Sequence, residues 1–167
     1  MASSVKKVGV DTIEQIIHIA NISWKETYKN ILPEQQLQYM LQLFYSREAL
    51  QKQIEEYKHQ FIVLVDDETI AGFASYSVKA IDDSTTYKLH KIYIDPEQQR
   101  KGIGKKLLDF IITDVTSKGA EYLELNVNRS NKAIHFYQKL GFIIISEADI
   151  DIGNNYFMND YVMRKAL

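Results

Sequence analysis

The stretch that most limits how this chain can fold runs from Leu89 to Leu108. Leu89 to Ile94 is β-prone, Pro96 ends it, and Ile103, Leu107, Leu108, Ile111, Ile112 and Val115 recur at helical spacing. Gly102 and Gly104 fall where the loop becomes the helix. A strand, a glycine-bearing loop and a helix in that order leave bare backbone N–H groups at a helix N-terminus, the positive end of the macrodipole. Glycine lets an anion approach that backbone closely. The local reading is a pyrophosphate cradle. It is not a Walker loop or a dinucleotide fingerprint, because neither Gly-x-x-x-x-Gly-Lys-Ser/Thr nor Gly-x-Gly-x-x-Gly is present at this point.

Around this unit the pattern is legible at coarse grain. Val5 to Val10 is β-prone, and Asp11-Thr12-Ile13-Glu14 has the form of a helix-capping arrangement. Ile13, Ile16, Ile17, Ala20 and Trp24 make one helical stripe. Pro33 suits a helix start, with Leu37, Met40, Leu41 and Phe44 behind it. Ser46 can cap a third helix carrying Leu50, Ile54 and Tyr57. Phe61 to Val65, Ile70 to Lys79 and Thr85 to Ile94 read as strands joined at Asp66-Asp67-Glu68 and Asp82-Asp83-Ser84. Gly119 stops the main helix, and Tyr122 to Val127 alternates as a strand. Ser130 or Asn131 opens a helix that Gly141 closes, and Phe142 to Ile145 and Tyr156 to Met163 form a last antiparallel pair. The expected class is α+β, a single domain over 1–167 with one mixed sheet and helices on both faces.

Composition excludes several functions. The net charge of −2 gives no footprint for nucleic acid, and no apolar run is long enough to span a membrane. The chain contains no cysteine, which rules out disulfides, thiolate metal sites and a cysteine nucleophile. The N-terminus lacks the apolar core of a signal peptide, so a cytoplasmic setting is expected.

Gln99-Arg100-Lys101-Gly102-Ile103-Gly104 resembles the Arg/Gln-x-x-Gly-x-Gly/Ala signature of the GNAT superfamily, the acetyl-CoA-dependent N-acetyltransferases. A second segment, Asn128 to Phe142, looks like the family's other hallmark: asparagines, then a short helix ending in Phe136-Tyr137-Gln138-Lys139-Leu140-Gly141-Phe142. The resemblance runs from about Phe61 to Arg164. It implies a sheet in which two neighbouring parallel strands splay into a V, with the pantetheine arm of acetyl-CoA inside it, and no metal.

By that resemblance the backbone of Ile92, Tyr93 and Ile94 pairs with the pantetheine. The loop of Gln99, Arg100, Lys101, Gly102, Ile103, Gly104 and Lys105 holds the pyrophosphate, Lys106 adds charge, and Lys139 reaches a phosphate. Asn131 bonds the arm, serves as a plain helix cap, or does both. Tyr137 stands near the sulfur as general acid for the thiolate, unless it is simple core. Many family members carry a glutamate on the strand before the loop; here His90 occupies that neighbourhood and is the candidate base. Trp24, Tyr28 and Tyr156 are expected to wall the acceptor, with the acid- and aromatic-rich stretch Asp149 to Tyr161 joining the last two strands. Such a mouth suits a cationic amine. The C-terminal pattern is diffusely similar to bacterial spermidine and spermine acetyltransferases. The expected reaction is direct acetyl transfer to a primary amine, a polyamine first. A peptide amine and a non-catalytic acyl-CoA sensor are the competitors, and a homodimer is compatible with the resemblance.

Overall fold

The computed structural model describes residues 3–99 and 101–167. Its elements in chain order are β1 (Ser3–Val8), α1 (Ile13–Tyr28), α2 (Glu34–Tyr45), α3 (Arg47–Glu55), β2 (Gln60–Asp66), β3 (Thr69–Ala80), β4 (Asp83–Ile94), α4 (Ile103–Ser117), β5 (Tyr122–Asn128), α5 (Ala133–Lys139), β6 (Ile143–Gly153) and β7 (Tyr156–Ala166). The strands form one seven-stranded sheet in the order β1-β2-β3-β4-β5-β7-β6. Every neighbouring pair is antiparallel except β4 and β5. The expected α+β class holds.

Both faces of the sheet are covered. On one, Leu107, Leu108, Ile111 and Val115 of α4 pack on Ile62, Leu64 and Leu89, and Tyr137 and Phe142 close the edge. On the other, Ile13, Ile16, Ala20 and Trp24 of α1 pack with Leu37, Leu41 and Leu50 over Phe61, Val63 and Phe73. Apolar residues three and four apart on these helices produce that stripe.

Ser46 caps α3, accepting from the Ala49 N–H at 3.1 Å, as its position predicts. The capping arrangement expected at Asp11 does not form. Val10–Thr12 is a short 3-10 turn, and neither Gly9 nor Thr12 offers a side-chain cap.

The largest departure lies at the C-terminus. Asp149 to Tyr161 is not a long connection; β6 and β7 run through it and turn only at Asn154-Asn155. Both asparagines have positive φ, 56° and 62°, the geometry of a two-residue hairpin turn whose twist matches the strands. Ile150 and Ile152 alternate with Asp149 and Asp151 at the period of two of a strand.

The β4–β5 ladder is short. It pairs Thr86 with Tyr122 through Leu89 with Leu125, and no pairing between the two strands continues past that point among the described residues. β4 goes on to Ile94 bonded only to β3, and β5 goes on to Asn128 bonded only to β7. The facing edges of the parallel strands are therefore open beyond Leu89 and Leu125.

Candidate active site

Three structural features meet at that opening: the loop into α4, the start of α5, and the C-terminal end of α1. The loop begins where Asp95 caps a 3-10 turn, accepting from the Glu97 N–H at 3.0 Å. Gly102 then adopts φ 71°, with nothing within 4 Å of where a Cβ would stand. A left-handed residue at this point aims the following N–H groups outward, and α4 starts with Ile103. Gly104 serves differently. A Cβ there would meet Phe136 Cζ at 3.2 Å and Ile94 Cδ1 at 3.3 Å, so this glycine allows α4 to lie close to β4 and α5. Ile103 is buried in the core below. The cradle is thus open backbone at Gly102 over a tightly packed Gly104, which fits an anion approaching from outside.

Of the loop's side chains, Gln99 is exposed, Lys101 bonds Gln98 at 2.7 Å, and Lys105 pairs with Asp109 at 2.8 Å. Arg100 lies outside the described residues. Lys139 is exposed at the end of α5. Asn131 caps the turn into α5: its side-chain oxygen accepts from the Ala133 N–H at 2.9 Å.

Tyr137 is buried on α5, packed edge-on against Phe136 and Phe142 at ring separations of 5.4 and 5.7 Å. Its pKa is raised by burial, with a further push from Tyr28. Tyr28, from the last turn of α1, shares a 3.2 Å hydrogen bond between its hydroxyl and that of Tyr93. Burial raises both of their pKa values, and Asn131 and Asp160 also act on Tyr28. The hydroxyl side of three tyrosines, from α1, β4 and α5, is gathered around the open strands. Trp24 packs against Tyr28 at 4.9 Å and Tyr93 at 5.6 Å but is itself core, 5% exposed. Tyr156 stands elsewhere: it packs on Tyr39 of α2 at 5.3 Å, and Tyr39 donates to the Ile152 carbonyl at 2.6 Å. It ties the hairpin to α2 rather than joining Trp24 and Tyr28.

His90 occupies a β-bulge. Ser75 pairs with Lys91 and Tyr76 with Leu89, leaving His90 as the extra residue. Its Nε2 is 2.7 Å from the Ser77 hydroxyl, and its ring stacks on His59 at 3.8 Å with the planes 6° apart. Burial, then His59 and the lysines Lys91 and Lys88, push its pKa down to about 2; burial and Lys91 lower that of His59 to about 4. Both rings are neutral at neutral pH. A base that weak takes little share in removing a proton from an ammonium.

Sequence reasoning passed over the polar floor of the site. Lys88, Glu124, Asn126 and Asp160 share one face of β4, β5 and β7, as the register of Lys88 with Glu124, and of Asn128 with Asp160, requires. Glu124 is buried and neutralised by Lys79 at 2.8 Å and by Arg164. Asp160 is 6% exposed, and no cation lies within ion-pair distance of its carboxylate among the described residues. Burial raises its pKa, an effect that Asn126, Lys88 and Arg129 only partly offset. One acid among several between Asp149 and Tyr161 gives no sequence signal of this burial. No cluster of three or more metal-ligating side chains is found among the described residues.

The comparisons with known proteins agree with this geometry. The family described as Acetyltransferase (GNAT) domain matches residues 28–157. The chain is 30% identical over 147 residues, 85% of its length and 89% of the relative's, to the spermidine N(1)-acetyltransferase of Thermoplasma acidophilum. It is 36% identical over 94 residues, 56% of this chain and 58% of the relative, to the [ribosomal protein bS18]-alanine N-acetyltransferase of Haemophilus influenzae. Among solved structures, the PaiA N-acetyltransferase of Thermoplasma acidophilum, in complex with coenzyme A, superposes with a TM-score of 0.84 at 28% identity, covering 100% of both chains. With its splayed parallel strands, its glycine loop and this match over most of its length, the chain belongs to the GNAT family of acetyltransferases.

Proposed function

We propose that this acetyltransferase moves an acetyl group from acetyl-CoA to a primary amine by direct attack, and that the amine is a small one, polyamines first. The observation that carries the reading is the open edge beyond Leu89 and Leu125 with three tyrosines gathered at it. The likeness to a spermidine enzyme over 85% of the chain supports the acceptor class. Backbone at Ile92, Tyr93 and Ile94 would hold the pantetheine arm, the loop at Gly102 the pyrophosphate, and Asn131 the entry to the arm.

The chemistry needs a neutral amine, a stabilised oxyanion and a proton for the leaving thiolate. The attacking nitrogen forms a bond to the thioester carbon, the C–S bond breaks, and the sulfur takes a proton. Tyr137 is the donor in this proposal: burial keeps its hydroxyl protonated until a thiolate in the same dry surroundings demands the proton. The tyrosine recovers a proton as the product nitrogen loses one.

A peptide amine is the competing acceptor, favoured by the likeness to ribosomal-protein acetyltransferases over about half of the chain. Release of free thiol from acetyl-CoA decides between them. Spermidine and spermine should give kcat/KM at least tenfold above an alanyl peptide; the reverse order makes the chain a peptide enzyme. No release with any amine, despite tight binding, makes it a sensor.

Two further outcomes follow from the geometry. Gly102→Val places a β-branched residue at φ 71°, where the left-handed conformation costs roughly 1–2 kcal/mol. It contacts no core atom, so the fold should survive while acetyl-CoA affinity, read by calorimetry, drops at least tenfold. Equal affinity would place the cradle elsewhere. His90→Gln should leave the acid limb of kcat/KM where it is, because a group with pKa about 2 is already neutral across the working range. Loss of that limb would restore His90 as the base.

A further inference from the structure

With His90 neutral and stacked, the reaction still lacks a group that takes the amine's proton. We propose that the Asp160 carboxylate is that group, acting directly on the ammonium at the floor of the acceptor site; this rests on the acetyltransferase reading above.

Asp160 stands on β7 in register with Asn128, on the strand next to the open edge of β5. Arg129, one of the two cations that act on it, is committed elsewhere: Nη2 bonds Asp149 at 2.7 Å and Nη1 donates to the Asp160 backbone carbonyl at 3.2 Å. The backbone is thus clamped, while the carboxylate keeps the Asn126 amide and the charge of Lys88 and Arg129 but has no ion pair among the described residues. A buried carboxylate that is only partly compensated is costly to a fold, and such groups are satisfied by a ligand cation or hold a proton.

The charged and titratable groups facing it are Tyr28 from α1, Lys88 from β4, Arg129 after β5 and Asp149 from β6. Burial lowers the pKa of Lys88, and the charges of Glu124 and Asp160 both act against that shift. The charge of Asp160 acts on the Tyr28 hydroxyl, which hydrogen-bonds Tyr93 at 3.2 Å and in turn acts on Tyr137.

An elevated carboxyl pKa brings Asp160 closer to the neutral range in which a general base works best. The step balances simply. One ammonium N–H bond breaks and its proton passes to a carboxylate oxygen. The freed lone pair attacks the thioester carbon, and Asp160 later releases its proton to solvent.

Asp160→Asn keeps shape and the contact with Asn126 but cannot take the proton. Acetyl-CoA affinity should stay within about twofold of wild type. With the preferred amine at pH 7, kcat/KM should fall at least about tenfold, a cautious bound on the roughly 10²–10⁴-fold worth of acid–base catalysis. The deficit should shrink as pH approaches the amine's own pKa near 10, where solvent supplies neutral amine. Asp160→Ala should regain rate with added formate. An unchanged kcat/KM, or a loss of equal size at every pH without formate rescue, overturns the assignment. If Asp160→Asn does not fold, Asp160→Glu, which keeps the carboxylate, must retain the acid limb or the assignment fails. A wild type inactive with every amine sinks the acetyltransferase reading itself, an outcome distinct from an active wild type indifferent to Asp160→Asn.

Discussion

Tyr137→Phe should bind acetyl-CoA within a few-fold of wild type, keep its melting temperature, and lose at least about tenfold in kcat, with roughly 10²–10⁴-fold the range for general-acid help. The separation of readouts follows from where the ring sits. Phe136 and Phe142 pack on the Tyr137 ring, and that packing is kept by phenylalanine. Only the hydroxyl is removed, and no hydrogen bond from it to another protein group is among those described. A structural hydroxyl would show its loss as a fall in melting temperature with kcat intact. A catalytic one shows the reverse. Undiminished turnover in Tyr137→Phe would make the residue core, and the proton donor would have to be solvent.

Much of this site can be read in the linear chain because its parts are backbone features. A glycine at positive φ and a helix start leave marks in sequence: Gly102, Ile103 and the α4 stripe are where the spacing puts them. The same holds for Tyr137, fixed by a helix that begins at the Asn131 cap. What escaped was set by long-range packing. The bulge that turns His90 toward His59 depends on β3 and β4 slipping register at Ser75 and Tyr76. No local pattern in Leu89 to Ile94 encodes it. The burial of Asp160, and its influence on Tyr28 more than a hundred residues earlier, arise only when the sheet is assembled. The acids of Asp149 to Asp151 read as part of the join between the last two strands, yet they sit on an edge strand, where charge discourages further strand pairing. The resemblance puts Tyr156 with Trp24 at the acceptor; the long hairpin carries it to Tyr39 instead.

The buried charge under this site gives the largest expected change in stability. Glu124 is 2% exposed and receives Lys79 at 2.8 Å and two Arg164 nitrogens, Nε at 2.8 Å and Nη2. Burial alone would raise its pKa, but the bonds and charges of Lys79 and Arg164 outweigh it and hold the carboxyl below its ordinary value. Arg164 also lies over the Tyr122 ring at 4.5 Å. Removing one partner of a buried pair costs about 3–5 kcal/mol; with Lys79 still in place, Arg164→Met should fall near the low end, about 3 kcal/mol. For a chain of this size that is a drop of roughly 6–12 °C in melting temperature. A group with a depressed folded pKa contributes stability above its unfolded pKa and loses it as pH falls through the folded value. The gap between wild type and Arg164→Met should therefore be widest at neutral pH and close in acid. Replacing all three charges together, with Glu124→Leu, Lys79→Met and Arg164→Met, should destabilise less than Arg164→Met alone, because no charge is then left buried without a partner. Calorimetric melts of the two variants at neutral and acid pH check the ordering. A triple variant less stable than the single, or a gap that widens in acid, would mean that the triad contributes through packing and not through its charge.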